Sequence, residues 1–405
     1  MDGSGRNYIR SERAHYMCPN MHFGILARIL SPYDAEKLRG SVRALQQAHP
    51  FLRSLIAQDD GGALYYQAQE SLEIPVLEKT DVSAWQRDYD ALASRGWDVS
   101  RESLLRLLVY PGGDGFDVLF TVHHLLCDGR GLLQLVREFA EHYVKGVAPA
   151  FVGERLIASL DDLPKKADLP LISKIVVSDA NRRWDRERHR VSYEEYLAFE
   201  KRFLRENPIK REIKTIGGDE LGEILSRCRR EGVSVNDWLI AKMMVEENTE
   251  KLVIAADIRR RVKGWPQGAM GNCSTAFSVS VRRKNDDLFP LAKIAAMQVS
   301  SIRREPQREM LVLACYLRMR PELLDAAAIS ALGGFDSAAG RFVGGRMFGY
   351  AERGGCCVTN LGKIESDCVA EAVFIPPASP ANRITWGVLT VNGCMRICAA
   401  APERD

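Results

Sequence analysis

Several common functional signals are missing from this chain. Its ten cysteines include no Cys-x-x-Cys pair and no framework spacing. The spacing therefore encodes neither a zinc ribbon nor a dithiol redox centre, and a reduced, cytoplasmic setting fits best. No run of about 18 uninterrupted apolar residues occurs, so no membrane-spanning helix is expected. Met1 to Arg6 leads into polar residues rather than the apolar core of a leader. The GxxxxGK[ST] phosphate loop is absent, because Lys363 is followed by Ile364. Charge of neither sign prevails: +3 over 405 residues makes no case for nucleic acid as the main partner. With 46% hydrophobic and 27% charged residues, the composition is that of a globular protein with material for two domains.

What is present is concentrated in one stretch, Thr121-Val122-His123-His124-Leu125-Leu126-Cys127-Asp128-Gly129. The apolar run Val118-Leu119-Phe120 before it predicts a buried strand. Apolar residues at 132, 135, 136, 139 and 143 after it have helical spacing. Two histidines, an aspartate and a glycine thus sit between a core strand and an amphipathic helix. Side chains alternate along a strand, so His123 and His124 should face opposite sides. That suits one working and one structural imidazole, and suits two ligands of one metal poorly. Gly129 offers either φ > 0 or close approach of a ligand to the backbone.

His-His-Leu-Leu-Cys-Asp-Gly matches HHxxxDG, and the chain thereby resembles the condensation-domain and CoA-dependent acyltransferase superfamily. This group includes condensation domains, polyketide-associated acyltransferases and alcohol acetyltransferases. Other segments carry the same resemblance. They are His49-Pro50-Phe51-Leu52-Arg53 after a helix, Asp257-Ile258-Arg259 leading to Gly271-Asn272, and Asn360-Leu361-Gly362. The implied fold is α/β with mixed sheets: two chloramphenicol-acetyltransferase-like lobes with an active-site tunnel between them. We place the first lobe at residues 1–160, a crossover linker with a charged helix near 182–206 at 161–207, and the second lobe at 208–405. Further expectations are a helix capped by Ser31, a hairpin at Gly61-Gly62, a capping box Ser234/Asp237, a strand at 278–282 and a type I′ hairpin at Asn392-Gly393.

Acyl transfer from a thioester needs a base for the incoming nucleophile and donors for the oxyanion. A neutral imidazole, with an ordinary pKa of about 6.5, suits the first task. The resemblance gives that role to His124, with His123 supporting. Asp128 is either an orienter of the histidine or a structural partner of an arginine. The resemblance favours Arg259 for that ion pair, and Arg261 shares the segment. Gly129 N–H, Asn360, Trp386 and Thr390 are oxyanion or substrate candidates by position, and His15 or His22 could line an acceptor channel. Cys127 shows no sign of thiolate activation, and no metal site is expected.

The expected activity is an acyltransferase moving groups other than aminoacyl. The donor would be acyl-CoA or acyl-phosphopantetheine on a carrier protein, as co-substrate rather than bound cofactor. The acceptor would be a small alcohol or amine, in natural-product or lipid assembly. The alternatives are a catalytically silent domain that binds a carrier protein or pathway partner, and a metal hydrolase using His123, His124 and Asp128.

Overall fold

The computed structural model describes residues 6–282 and 286–403. Residues 1–5, on which the absence of a leader was read, lie outside them. Two mixed sheets carry the architecture. The first has five strands in the order Val369–Ile375, His22–Ile29, Phe116–His123, Leu105–Tyr110 and Val76–Glu78. The second has six, in the order Ser274–Ser280, Lys251–Asp257, Gly355–Ile364, Asn382–Val391, Cys394–Pro402 and Ile209–Ile216. Each sheet has its own apolar core. Phe116, Val118, Phe120 and Val122 from the histidine strand fill the first, and Leu239, Ile254, Val279, Trp386 and Val388 help fill the second.

The strand Phe116–His123 is central because it can be buried on both faces: all eight residues are buried. It pairs antiparallel with His22–Ile29, and His22 lies opposite His123. The chain then turns into the helix Gly129–Lys145, whose buried stripe includes Leu132, Leu135, Val136, Phe139 and Tyr143. Gly146 closes that helix in the left-handed conformation (φ 72°), the usual use of glycine at this position.

Several local expectations hold. The hairpin around Gly62 forms between Ser54–Gln58 and Leu64–Ala68. Ser234 and Asp237 make both bonds of a capping box. Asn392 and Gly393 both have positive φ between paired strands. Others need correction. The first long helix is Ala35–Ala48, capped by Asp34, which accepts from the N–H groups of Glu36 and Lys37; Ser31 is not its cap. An aspartate closer to the apolar register won over the serine. The charged helix near 182–206 is two helices, Leu171–Arg186 and Tyr193–Glu206, the second started by a Ser192/Glu195 capping box. The strand expected at 278–282 begins earlier and runs Ser274–Ser280. The division at 207/208 does not follow the sheets either. Val369–Ile375 adds to the edge of the first sheet beside His22–Ile29, and helices such as Pro321–Ala331 pack into the first core. An antiparallel partner for an exposed edge strand removes unpaired backbone groups, a gain that sequence order does not reveal.

One buried network ties the first lobe together. The His49 ring is fully buried between Glu138 on the motif helix (2.6 Å) and Glu154 (2.8 Å), and Glu154 also accepts from Met270 N–H. Burial opposes the imidazolium, but the hydrogen bonds it donates to Glu138 and Glu154 outweigh it and raise the His49 pKa to about 9. A folded pKa above the unfolded value of about 6.5 means stability present below pH 6.5 and lost as pH rises through 9. His49→Ala should therefore destabilise the protein by about 3–5 kcal/mol at pH 6.5, because two carboxylates lose their buried partner. Denaturant unfolding of both forms should show the gap narrowing toward pH 9.5.

Candidate active site

His124 lies one residue past the end of its strand, where its N–H donates to Met21 O at 2.7 Å. This bond carries the antiparallel pairing one step further and fixes the backbone under the ring. His124 Nδ1 lies 3.0 Å from Asn272 Oδ1, and Asn272 Nδ2 donates to the His124 carbonyl at 2.8 Å. The two bonds settle the tautomer. A carbonyl only accepts, so the amide nitrogen faces it and Oδ1 faces the ring; Nδ1 must then carry the hydrogen. Nε2 is left with its lone pair. Burial lowers the His124 pKa, partly offset by its own backbone, Asp128 and Asn272, so the ring is neutral at pH 7.

His15 stacks on His124 with ring centroids 4.2 Å apart, and Phe23 meets it edge-on at 5.0 Å. Both help line a cavity of about 980 Å³. That volume is at the large end of small-molecule sites. Its wall draws on both sheets: Glu12, His15 and His124 from the first lobe, Ser274, Ala276 and Thr359 from the second. Removing the amide of Asn272 with Asn272→Ala costs the ring one orienting bond, worth about 1 kcal/mol. The expected result is a kcat reduced roughly five- to tenfold. The pH dependence of kcat checks this: Asn272 raises the His124 pKa, so its loss should move the acid limb to lower pH.

His123 faces away from this cavity. Its Nδ1 accepts from Leu125 N–H at 3.2 Å, and Trp97 packs against the ring. Burial, then His22, His124 and Arg106, hold it well below the ordinary value. It supports the turn as a neutral, hydrogen-bonded group. His22 is also buried off the cavity beside Tyr89, so of the two channel candidates only His15 lines it.

Asp128 turns away from His124 as a partner. It caps the motif helix by accepting from Gly131 N–H (2.9 Å). It takes two bonds from Arg259 (2.9 and 2.8 Å) and one from Cys273 N–H (2.8 Å). Burial would raise its pKa, but Arg259 and the two N–H groups hold it below the usual carboxylate range. Arg261, the other candidate, pairs with Glu309. Arg259 and Cys273 come from the second lobe, so this carboxylate fastens the histidine turn to the opposite sheet.

Gly129 does not have positive φ, contrary to one expectation for it. Its reason is space: a Cβ there would lie 2.6 Å from Leu361 and 3.2 Å from Phe374. As the first residue of the helix, its N–H lacks an intrahelical acceptor. Asn360 lines the cavity, but its amide is engaged with Asn236 (3.3 Å) and Gly362 N–H (2.8 Å). Trp386 and Thr390 are corrected. Trp386 belongs to the second core and Thr390 is buried off the cavity. Thr385, one residue before Trp386, takes the cavity side. A strand's alternation makes a one-residue error a change of face.

The nucleophile and metal readings lose their geometry. Burial pushes the Cys127 thiol well above its ordinary value, which disfavours the reactive thiolate. Among the described residues no three His, Cys, Asp or Glu side chains converge as metal ligands. His123 points away, and Asp128 is saturated by Arg259. Asn272 and Glu12 are cavity residues that sequence reasoning missed. The Gly271-Asn272 pair was visible as a family segment, whereas nothing around Glu12 marked it.

Residues 20–150 match the Condensation domain family model. A probable non-canonical nonribosomal peptide synthetase of Salinispora arenicola is 31% identical over 133 residues, 32% of this chain and 2% of that protein. The chain thus spans a small fraction of the curated relatives it matches. Solved structures extend the likeness to the whole chain. Trichothecene 15-O-acetyltransferase of Fusarium sporotrichioides aligns with a TM-score of 0.63 at 12% identity, over 99% of this chain and 92% of that one. Polyketide synthase associated protein 5 of Mycobacterium tuberculosis aligns at 0.59 and 15%, over 99% and 93%. At such identities the likeness shows the fold. The likeness to condensation domains is thus shown over residues 20–150, and the mixed α/β fold over the whole chain.

Proposed function

From a condensation-domain segment set in the fold of known acyltransferases, we propose that this protein transfers an acyl group from a thioester to an alcohol or amine. One observation carries the reading: a neutral imidazole, locked by Asn272 as its Nδ1–H tautomer, with its ring on a cavity lined by two sheets. Nε2 of His124 takes the proton as the acceptor's oxygen or nitrogen attacks the thioester carbon. The oxyanion is stabilised by N–H dipoles at the start of the motif helix, near Gly129. As the intermediate collapses, the carbon–sulfur bond breaks and the proton on His124 passes to the leaving thiolate. The positive charge carried briefly by the ring sits near Asp128, whose charge favours it.

The donor is proposed to be acyl-CoA or an acyl-phosphopantetheine on a carrier protein, and the setting cytoplasmic natural-product assembly. Among the described residues no helix is long and apolar enough to cross a membrane. The test is incubation with radiolabelled acetyl-CoA and other acyl donors against a library of small alcohols and amines. Product that requires donor, acceptor and His124 supports the proposal. Absence of transfer across the panel would favour a silent binding domain.

A further inference from the structure

The cavity wall carries a buried acidic group, besides Asp128, that the proposed reaction does not use. Glu12 lies in the short turn Ser11–His15, is 1% exposed, and lines the same cavity as His124. Neither carboxylate oxygen has a hydrogen-bond partner among the described residues. Ser11 and the backbone of Arg10 and Glu12 come near but do not reach hydrogen-bonding geometry. Arg13, the next residue, is bound to Asp325, and Arg259 to Asp128. Residues three apart on a 3₁₀ turn eclipse one another, so Glu12 shares a face with His15, whose ring stacks on His124. An acceptor of this kind buried without a donor is costly to the fold. A ligand that brings a donor recovers that cost, most fully if the donor is a cation.

We propose that Glu12 is the specificity residue for the acceptor substrate, which carries a protonated amine that the carboxylate receives inside the cavity. This deepens the reading of the cavity as an acyl-acceptor site and rests on it. The group attacked is then a second function of the acceptor, an amino alcohol's hydroxyl or a diamine's other nitrogen, presented to His124.

Burial raises the Glu12 carboxyl to about 7 in the free protein. The ionisable groups that feel its charge are Tyr66 and Cys273, and burial holds both un-ionised. The helices packed on its turn bring Tyr316, also held un-ionised, and Asp325, engaged by Arg13. His15 is kept neutral by burial and by its histidine neighbours. Glu12 is thus the cavity carboxyl that burial brings to neutrality, while the same burial moves His124 below its ordinary range. A cation binds the ionised carboxylate, so its affinity rises with pH through 7 and then levels.

Calorimetry with 1-hexylamine and its neutral counterpart 1-hexanol, without any acyl donor, tests this. The wild-type protein should bind hexylamine at least tenfold more tightly at pH 8 than at pH 5.5, while hexanol binding stays flat. Glu12→Gln should lose that preference and should melt higher than wild type at pH 8, where an unpaired buried carboxylate has been removed. A merely structural glutamate predicts the reverse, a lower melting temperature and unchanged ligand preference. Hexylamine binding that is absent, pH-independent or equal in Glu12→Gln overturns the proposal. If Glu12→Gln does not fold, the same comparison in His124→Ala, where the neighbouring imidazole no longer titrates, decides: a retained pH dependence supports the proposal and a lost one overturns it. Turnover of neutral alcohols, measured separately, tests the transferase reading and does not depend on Glu12.

Discussion

His124→Ala is expected to lower kcat by about 10²–10⁴, the usual worth of a positioned general base, while leaving the melting temperature nearly unchanged. The separation of the two effects follows from the local structure. The backbone of His124 is held by its own N–H bond to Met21 O and by Asn272 on its carbonyl, neither of which needs the ring. The ring itself faces a cavity rather than packed core. Steady-state rates with any active donor–acceptor pair, alongside a melting curve, check both halves. The pH profile adds a sign. A base whose pKa burial lowers stays unprotonated below the ordinary imidazole range. The acid limb of kcat should therefore fall below pH 6.5 and disappear in the variant. A limb above that range would indicate a different base.

Asp128→Ala is the second large effect, and it should appear first as instability. The carboxylate holds Arg259 by two bonds, Cys273 N–H by one and Gly131 N–H by one. Deleting it strands a half-buried guanidinium and uncaps the motif helix. Breaking a buried pair from one side costs about 3–5 kcal/mol. Denaturant unfolding measures this directly. The folded pKa of Asp128 is depressed, so the stability it contributes is present above the unfolded carboxylate pKa and lost as pH falls through the folded one. The wild type and Asp128→Ala should thus converge in acid. The double variant Asp128→Ala/Arg259→Ala should recover part of the loss, because no charge is then left unpaired. If instead Asp128 served His124 as an orienter, Asp128→Ala would remain as stable as wild type and lose only rate.

Much of this was legible in the residues themselves. The apolar run Val118-Leu119-Phe120 leading to two adjacent histidines, followed by a helical stripe, placed the strand, the turn and the opposite facing of His123 and His124. Asn392-Gly393 and Ser234/Asp237 carry local chemistry that acts without regard to the rest of the chain. What escaped depends on contacts between distant segments. The addition of Val369–Ile375 to the first sheet is a decision of edge pairing. The assignment of Trp386 to a core rather than the cavity turns on one residue of strand parity. Glu12 has no motif around it. Its isolation exists only because Ser11–His15 folds against the cavity while Arg13 reaches Asp325 on another helix. Gly129 shows the intermediate case: the glycine was visible, but its cause, the closeness of Leu361 and Phe374, was not.

The central claim is that one neutral imidazole on a shared cavity drives acyl transfer. Mass spectrometry of products is its most direct test, using a panel of acyl-CoAs and acyl-carrier proteins with alcohol and amine acceptors. Wild type and Cys127→Ala should both form acylated acceptor, and His124→Ala should form none above background. Equal product from His124→Ala and Cys127→Ala would contradict the account.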